Sequence, residues 1–355
     1  PRRIRRSAGT CQCGQGADVM KTIKTYQVTQ SQGILLNANE CGENLPLTVR
    51  EEIAQAALDL AYNRYPDDEC KELLNAYAKV MNLSTEQLIA GNGSDELLGL
   101  LISVLAANKS VLTLDPDFSM YDYYASVHQA ELLRFQHDLH RPFDLDAFIQ
   151  MGKKVDLILF SNPNNPSGTA LSAADLCQLV EAAAPIPVII DEAYAEFNDE
   201  SMVDKLAVYE NLILTRTLSK AYGLAGLRVG FAISNPAMIQ RLKAAKVPYN
   251  VNSFSQRAAS IVLKHNEIFA PRTAQIVHER EKMLAACQSL KHFTVYPSKA
   301  NFIYFRSKRK AVFMSLLDDI KIRDYSDDGF RITIGSPDQN ERIISLLRQA
   351  DKEIL

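Results

Sequence analysis

Lys220 is the side chain of this sequence with the clearest chemical potential. It comes just after a short apolar stretch that predicts a buried strand, it follows Ser219, and Arg228 lies eight residues later. An amine held at the end of a buried strand can act as a nucleophile toward a carbonyl group. A hydroxyl and a guanidinium beside it would bind an anion. Taken alone, the segment also fits a lysine in a solvated loop.

Two further polar segments follow predicted buried strands. One apolar stretch ends at Asp191, with Tyr194 three residues later, and another ends at Phe160 and leads into a turn that contains Asn165. Prolines and a glycine make that turn rigid. Ligands of α/β sheets bind at the carboxyl ends of the strands. The sequence therefore predicts that an amide, a carboxylate, a phenol, an amine and a guanidinium converge at one sheet edge.

This set of groups is what pyridoxal 5′-phosphate requires. A lysine amine forms a Schiff base with the cofactor aldehyde. A carboxylate opposite the pyridine nitrogen keeps that nitrogen protonated, so that the ring can accept electrons. A phenol and an amide would bond to the ring oxygen, while hydroxyls, backbone N–H groups and an arginine would bind the phosphate. We therefore predict a pyridoxal phosphate enzyme.

The same segments resemble those of fold-type I pyridoxal phosphate-dependent aminotransferases, and more narrowly the histidinol-phosphate aminotransferase family. The resemblance runs from about Leu36 to the C-terminus, roughly nine-tenths of the chain. It implies that Lys220 forms the Schiff base and is the catalytic residue. The cofactor-binding residues that it implies are Gly93, Ser94, Asp95, Phe118, Asn165, Asp191, Tyr194, Thr217, Ser219, Lys220 and Arg228, with Tyr65 supplied by a partner subunit.

The turn that contains Gly93, Ser94 and Asp95 supports a phosphate site independently. It opens a predicted helix, whose first N–H groups and positive end attract an anion. It lacks the Gly-Lys-Ser/Thr of a nucleotide P-loop and the third glycine of a dinucleotide-binding turn. In the resembling family this turn holds the cofactor phosphate. Phe118 is implied to stack on the pyridine ring, although a core aromatic would also fit that position.

The resemblance also implies the substrate contacts. Arg331 would bind a carboxylate, for which a guanidinium fork suits better than an ammonium group. Arg323 would meet the substrate's own phosphate; an arginine on a surface strand is the alternative. The complete set of implied substrate-binding residues is Arg331, Arg323, Asn39, Asn165 and Tyr26.

The implied reaction is transamination between histidinol phosphate and 2-oxoglutarate in histidine biosynthesis, with ping-pong kinetics. Because Tyr65 is implied to reach the cofactor phosphate of a second subunit, the resemblance implies a homodimer. An aromatic amino acid aminotransferase and a threonine-phosphate decarboxylase share the fold and remain alternatives. A DNA-binding regulator is disfavoured, since only some nineteen residues precede the enzyme-like part.

Composition narrows the class of protein further. The 355 residues are 47% hydrophobic and 23% charged, which is typical of globular proteins. A net charge of −3 predicts no nucleic-acid partner, and the absence of any run of about 18 apolar residues predicts no membrane span. Six scattered cysteines and six histidines show no metal-ligand spacing. We expect a cytoplasmic protein with reduced thiols and no metal.

The elements that must position these residues alternate between strand and helix. Short apolar runs predict strands at 88–90, 111–114, 131–135, 156–160, 188–191, 212–215 and 229–233, with a helix predicted over 47–63. This pattern indicates an α/β fold with a large, seven-stranded, mainly parallel sheet.

The predicted divisions are an extension at 1–19, an N-terminal segment at 20–46 that joins the small domain and the substrate site, a large cofactor domain at 47–266 and a small α+β domain at 267–355. We expect the extension to be an upstream remnant without order, with Met20 as the natural start.

Overall fold

The structure of the protein, a computed structural model, describes residues 32–325 and 327–352. The predicted extension at 1–19 and the predicted substrate contact Tyr26 lie outside these residues.

A seven-stranded sheet forms the larger part of the molecule. Its spatial order is β2-β8-β7-β6-β5-β3-β4, and every neighbouring pair is parallel except the two pairs that include β8. The seven strands that the sequence predicts are these seven, so the expected mainly parallel α/β sheet is confirmed. The strands are β2 (Leu88–Asn92), β3 (Ser110–Asp115), β4 (Glu131–Gln136), β5 (Leu157–Ser161), β6 (Val188–Asp191), β7 (Leu212–Thr217) and β8 (Val229–Ile233).

Alternation along the strands builds a core on both faces of this sheet. In β5, Leu157 and Leu159 pack into one hydrophobic cluster, whereas Ile158 and Phe160 pack into another, and none of the four is exposed. Successive side chains of a strand point to opposite faces, so a strand buried on both faces is apolar throughout. This burial explains why the predicted strands read as continuous apolar runs.

Helices cover both faces of the sheet. The first of them is shorter than predicted, because it begins at Leu47 but ends at Leu58 rather than at residue 63. Leu58, its last residue, and Tyr62, beyond its end, are 77% and 73% exposed, so the apolar pattern of the sequence continues past the point where a buried face ends. The helices of this part are α1 (Leu47–Leu58), α2 (Lys71–Met81), α3 (Ser94–Ala106), α4 (Met120–Val127), α5 (Leu145–Gly152), α6 (Ala173–Ala183), α7 (Pro236–Ala245) and α8 (Ser253–Lys264).

A second, five-stranded sheet has the order β1-β11-β12-β10-β9 and its own hydrophobic cluster. Strand β1, which the sequence did not predict, is too short for an alternation pattern and pairs in parallel with β11. The domain boundaries at 46/47 and 266/267 stay a prediction. The elements are β1 (Ile34–Leu36), α9 (Phe269–Cys287), β9 (Thr294–Val295), β10 (Phe302–Arg306), α10 (Lys310–Ser315), β11 (Ile320–Asp324), β12 (Gly329–Thr333) and α11 (Pro337–Lys352).

No helix within the described ranges has both the length and the apolar character that crossing a bilayer requires. The parallel strands β5, β6 and β7 are paired so that Ser161 lies opposite Asp191, and Asp191 opposite Thr215. Their carboxyl ends therefore place polar side chains side by side at one edge of the sheet.

Gly230 allows β8 to approach the start of α3 closely. A β-carbon at this position would lie 2.3 Å from the Ser94 nitrogen and 2.6 Å from the Gly93 carbonyl carbon. We expect Gly230→Ala to lower the free energy of unfolding by about 1–3 kcal/mol, because backbone atoms must shift to make room. Urea denaturation measures the change.

Gly226→Ala is the matched control for that substitution, since no atom lies within 4 Å of the β-carbon it would add. We expect the control to stay within about 0.5 kcal/mol of the parent protein. Equal urea midpoints for the two variants would contradict the close approach.

Candidate active site

A cavity of about 410 Å³ lies at the carboxyl edge of the large sheet and is also lined by the smaller sheet. That volume falls within the roughly 300–1,000 Å³ typical of small-molecule sites. The predicted site residues that line it are Asn39, Ser94, Asp95, Phe118, Asn165, Asp191, Tyr194, Thr217, Ser219, Lys220, Arg228, Arg323 and Arg331. Gly93 lies just behind the wall, where a β-carbon would be 2.6 Å from an Arg228 nitrogen.

Tyr65 lies outside this cavity. Tyr65 is 81% exposed, and its ring stacks on that of Tyr249 with 4.6 Å between the ring centroids. The contact with a partner subunit that the sequence resemblance implies for Tyr65 stays a prediction.

Asp191 is the last residue of β6, and its carboxylate is buried. The Tyr121 hydroxyl donates to one of its oxygens at 3.0 Å, and the Thr215 hydroxyl donates to the other at 2.8 Å. Burial raises the pKa of Asp191 to about 6, and the two hydrogen bonds oppose that rise. The result is a fixed, ionisable carboxylate that can pair with a cationic ring N–H.

Lys220 follows the end of β7 and presents its amine to the cavity. Its Nζ donates to the Ala38 carbonyl oxygen at 2.9 Å and lies 5.9 Å from the centroid of the Tyr194 ring. Burial, and next the Arg331 cation, lower the pKa of Lys220 to about 8. The neutral, nucleophilic amine is therefore far more populated near neutral pH than in an ordinary lysine.

Tyr194 is held by the segment that follows β1. Its hydroxyl accepts from the Asn39 amide at 2.9 Å, while the Thr333 hydroxyl donates to the Asn39 side-chain oxygen at 3.0 Å. Asn39 has a φ of +55°, in the left-handed region that asparagine tolerates better than most residues. The structure thus gives Asn39 the role of positioning the phenol; the predicted substrate contact of Asn39 stays a prediction.

Arg331 is a buried residue of β12 that links the two sheets. One terminal nitrogen donates to the Asn165 side-chain oxygen, and the other donates to the Asn37 carbonyl oxygen at 2.9 Å. Its Nε is buried without a hydrogen-bond partner. A buried donor left unpaired costs about 1–3 kcal/mol, so a bound anion would be favoured here.

Arg323 stands beside Arg331 on the neighbouring strand. The two residues are in register in the antiparallel pair of β11 and β12, and both line the cavity. The Arg323 guanidinium carbon also lies 5.9 Å from the centroid of the Tyr325 ring. One wall of the cavity therefore carries two guanidinium groups.

A second part of the cavity lining is also suited to an anion. Helix α3 begins at Ser94, and its N-cap residue Gly93 provides no side-chain hydrogen bond, so the first N–H groups are not capped by a side chain. Arg228 donates to the Asp95 carboxylate at 2.9 Å and lies 3.4 Å from the Ser219 hydroxyl. A helix start, a hydroxyl and a guanidinium at one point suit a phosphate group.

Sequence reasoning missed Tyr121 and Thr215, the two partners of Asp191. Thr215 could have been found only from the register of β6 and β7, which places it opposite Asp191. Tyr121 lies in the segment singled out for Phe118 and could have been suspected as a buried phenol. Sequence reasoning also missed Asp117, which lines the cavity. Burial raises the pKa of Asp117 to about 8, and hydrogen bonds from Ser161 and Phe118 oppose the rise.

The chemistry of this set of groups fits pyridoxal phosphate. Asp191 suits the pyridine nitrogen, Lys220 the aldehyde, and Tyr194 and Asn165 the ring oxygen. The Ser94 end of the cavity suits the phosphate. The donors and acceptors that the cofactor needs thus line one cavity of suitable volume.

Comparison with known proteins decides the family. The family model for aminotransferase class I and II matches residues 31–347. The chain belongs to this family. Its fold and the aminotransferase resemblance of its sequence are thereby confirmed, whereas the roles of individual side chains stay predictions.

Individual relatives agree with this assignment. The aminotransferase is 37% identical over 323 residues to a histidinol-phosphate aminotransferase of Clostridium kluyveri, covering 88% of this chain and 92% of the relative. Two solved histidinol-phosphate aminotransferases share its fold. That of Clostridium acetobutylicum has a TM-score of 0.82, with 24% identity over 90% of this chain and 100% of that one. That of Sinorhizobium meliloti, in complex with pyridoxal-5′-phosphate, has a TM-score of 0.83, with 22% identity over 96% of this chain and 98% of that one.

The lowered pKa of Lys220 predicts how the cofactor-free aminotransferase reacts with pyridoxal phosphate. Only the neutral amine attacks an aldehyde. The rate of reaction should therefore rise with pH through a midpoint near 8, and not near the 10.5 of an ordinary lysine. Because the Arg331 cation helps to lower this pKa, Arg331→Gln should move the midpoint to higher pH. Stopped-flow absorbance measures the rate.

Arg342→Gln is the matched control, since Arg342 pairs with Asp319 on the surface, away from the cavity. We expect it to leave the midpoint unchanged. A midpoint that falls in Arg331→Gln would contradict the assigned electrostatic effect.

Proposed function

We propose that the aminotransferase uses pyridoxal phosphate to transfer an amino group from histidinol phosphate to 2-oxoglutarate, which yields imidazole acetol phosphate and glutamate in histidine biosynthesis. The observation that carries the proposal is the placement of Arg323 and Arg331, on adjacent strands, in the cavity that Lys220 also lines. One site must accept a phosphate monoester in one half-reaction and a dicarboxylate in the other. Two guanidinium groups on adjacent strands suit both kinds of anion.

Several side chains would hold the cofactor. The Asp191 carboxylate, oriented by two hydroxyl donors, would pair with the pyridine N–H. Tyr194 and Asn165 would donate to the ring oxygen. The phosphate would bind where Ser219 and Arg228 meet the start of α3. When bound, pyridoxal phosphate supplies an electron sink that stabilises a carbanion at the substrate carbon.

Lys220 would carry out the proton transfers. Its Nζ could take a proton from the substrate carbon as a base and later donate that proton as an acid. A pKa near 8 suits both tasks, because neither protonation state is rare near neutral pH. The Ala38 carbonyl oxygen, 2.9 Å from Nζ, keeps the amine within the cavity.

Arg331 would bind the anionic end of each substrate. Its unpaired Nε–H is a donor that no described protein group satisfies, and its guanidinium carbon lies 5.0 Å from the centroid of the Phe302 ring. The ring and the Asn165 bond fix the guanidinium before a substrate arrives. Donors that are already held in position lose little conformational entropy when an anion binds, which favours tight binding of the anion.

A homodimer is part of the proposal. Tyr65 and Tyr249, which are 81% and 46% exposed, form an aromatic pair at the surface. Exposed aromatic side chains are enriched at protein interfaces. We infer that Tyr65 contacts the cofactor phosphate of a second subunit. Sedimentation of the cofactor-loaded protein checks this, and an active monomer would exclude it.

The first test is an absorbance titration of the purified enzyme. Histidinol phosphate should bleach the visible band of the bound cofactor, and 2-oxoglutarate should restore it, because the amino group is passed on in two separate half-reactions. Lys220→Ala should lose this band and reduce kcat by at least about 10³-fold, since it removes both nucleophile and proton carrier. The exposed Lys153→Ala is the control.

Each outcome has a distinct meaning. Bleaching by aromatic amino acids alone would identify an aromatic aminotransferase, and release of carbon dioxide from threonine phosphate would identify a decarboxylase. If no band forms after incubation with pyridoxal phosphate, the cofactor assignment is wrong. Full turnover by Lys220→Ala would show that the catalytic residue is misassigned.

A second prediction concerns Arg323 and substrate choice. Arg323→Leu should lower kcat/KM for histidinol phosphate by about 10- to 150-fold, the effect of losing one charged hydrogen bond of about 1.5–3 kcal/mol. Turnover of an aromatic amino acid should change less than about threefold, because this substrate carries no phosphate and so loses no hydrogen bond to Arg323. Steady-state kinetics with both substrates measures the difference.

Lys321→Leu, on the same strand but outside the cavity lining, is the matched control for Arg323→Leu. It should leave both substrates unaffected. Equal losses for the two substrates in Arg323→Leu would mean that Arg323 does not recognise the phosphate.

A further inference from the structure

Asp117 is a cavity-lining carboxylate that the proposed mechanism does not use. It lies two residues beyond the end of β3, close to Phe118 and to the end of β5. Three protein donors point to it: the Phe118 N–H at 2.8 Å, the Ser161 N–H at 3.2 Å and the Ser161 hydroxyl. A carboxylate with this many protein donors is fully engaged by the protein and is therefore fixed in position.

The direction of the Ser161 hydrogen bonds follows from counting hydrogens. The Ser161 oxygen accepts the backbone N–H of Asn165 at 3.0 Å and lies 3.4 Å from the side-chain nitrogen of Asn164. Because a hydroxyl has a single hydrogen and these two neighbours are both donors, that hydrogen is available to the Asp117 oxygen that the Ser161 hydroxyl contacts, once the carboxyl group is ionised. A directed chain therefore runs from the Asn165 N–H through Ser161 to the Asp117 carboxylate.

Asn165 stands at the functional end of this chain. Its side-chain oxygen accepts from Arg331, and its amide nitrogen is the group expected to donate to the ring oxygen of the cofactor. The backbone N–H of Asn165 donates to the Ser161 hydroxyl oxygen at 3.0 Å, so this hydroxyl helps to hold the residue that meets Arg331 and is expected to meet the cofactor.

We propose that Asp117 is a positioning residue that acts through Ser161 to aim the Asn165 amide at the cofactor ring oxygen. The inference deepens the proposed function and rests on it, since it takes pyridoxal phosphate to be the cofactor. The alternative is that Asp117 acts directly through its charge, because it also lies in the field of Asp191.

The two modes of action have opposite signs in a spectroscopic pH titration. An aligned N–H donor stabilises the ionised ring oxygen, so a displaced Asn165 amide raises the pH at which the visible absorption of the bound cofactor changes. At a pH where Asp117 is ionised, removing its negative charge would also stabilise an ionised oxygen and would lower that pH. The direction of the shift therefore separates positioning from a direct charge effect.

Asp117→Asn is the primary variant. An amide of the same shape cannot accept from both the Ser161 N–H and the Ser161 hydroxyl, because one of its two faces is a donor. We expect the midpoint of the absorption titration to rise by about 0.4–1.1 pH units, the equivalent of one ordinary hydrogen bond. Asn165→Ala gives the largest shift that losing this amide can produce.

Ser161→Ala and a double-mutant cycle show whether Asp117 acts through Ser161. Ser161→Ala removes the relay but keeps the carboxylate, and it should raise the midpoint in the same direction. The double variant should shift no further than the larger single shift, because both substitutions break one chain. Asp115→Asn, two residues earlier and outside the cavity lining, is the matched control and should leave the midpoint unchanged.

Several results would overturn the inference. They are an unchanged or lowered midpoint in Asp117→Asn, or fully additive shifts in the double variant. If Asp117→Asn does not fold, Ser161→Ala decides alone, and an unchanged midpoint there refutes the relay. Failure of the parent enzyme to bind pyridoxal phosphate would instead refute the proposed function, so the two failures are distinguishable.

Discussion

The contact between Arg331 and Asn165 is the constraint on which the rest of the site depends. It joins β12 of the smaller sheet to the turn after β5 of the larger one, and the same guanidinium also donates to Asn37, after β1. Three chain segments far apart in sequence thus meet on one side chain. A buried guanidinium demands partners, because leaving its donors unpaired costs about 1–3 kcal/mol each. These contacts of Arg331 therefore hold the two sheets in a fixed arrangement around the cavity.

Burial sets the electrostatics of the cavity that this contact encloses. It raises the pKa of Asp191 to about 6 and lowers that of Lys220 to about 8, so a buried acid and a buried amine both titrate near neutral pH. Placing ionisable groups where they are poorly solvated destabilises a fold, and perturbed groups of this kind cluster at functional sites. The Tyr121 and Thr215 hydroxyls limit the cost at Asp191 by supplying hydrogen bonds that water would otherwise supply.

Local patterns in the sequence were sufficient for the seven strands and for the meeting of Asn165, Asp191, Tyr194, Lys220 and Arg228 at one sheet edge. Asn39, Arg323 and Arg331 were expected only from the family resemblance. Strands buried on both faces are apolar runs, and polar residues directly after them must meet at one sheet edge. Thr215 was missed because its role depends on strand register, which pairs residues distant in sequence. Strand β1 was missed because three residues carry no period, and helix α1 was overextended because its pattern does not reveal where burial stops. Long-range pairing and burial, unlike periodicity, are not local properties.

Tyr194 and Asn165, the two groups expected at the cofactor ring oxygen, are each held by further protein hydrogen bonds. Tyr194 is fixed through Asn39 by the hydroxyl of Thr333, and Asn165 is fixed by Ser161 on one side and by Arg331 on the other. Donors that are already oriented pay no reorganisation cost when charge develops nearby. The free-energy cost of orienting them arises during folding, when Asn39 adopts a left-handed backbone and polar side chains are buried in these hydrogen-bond networks. Because Asn39 and Thr333 belong to segments that also flank Arg331, anion binding at Arg331 and the orientation of Tyr194 depend on the same packing of the smaller sheet against the larger.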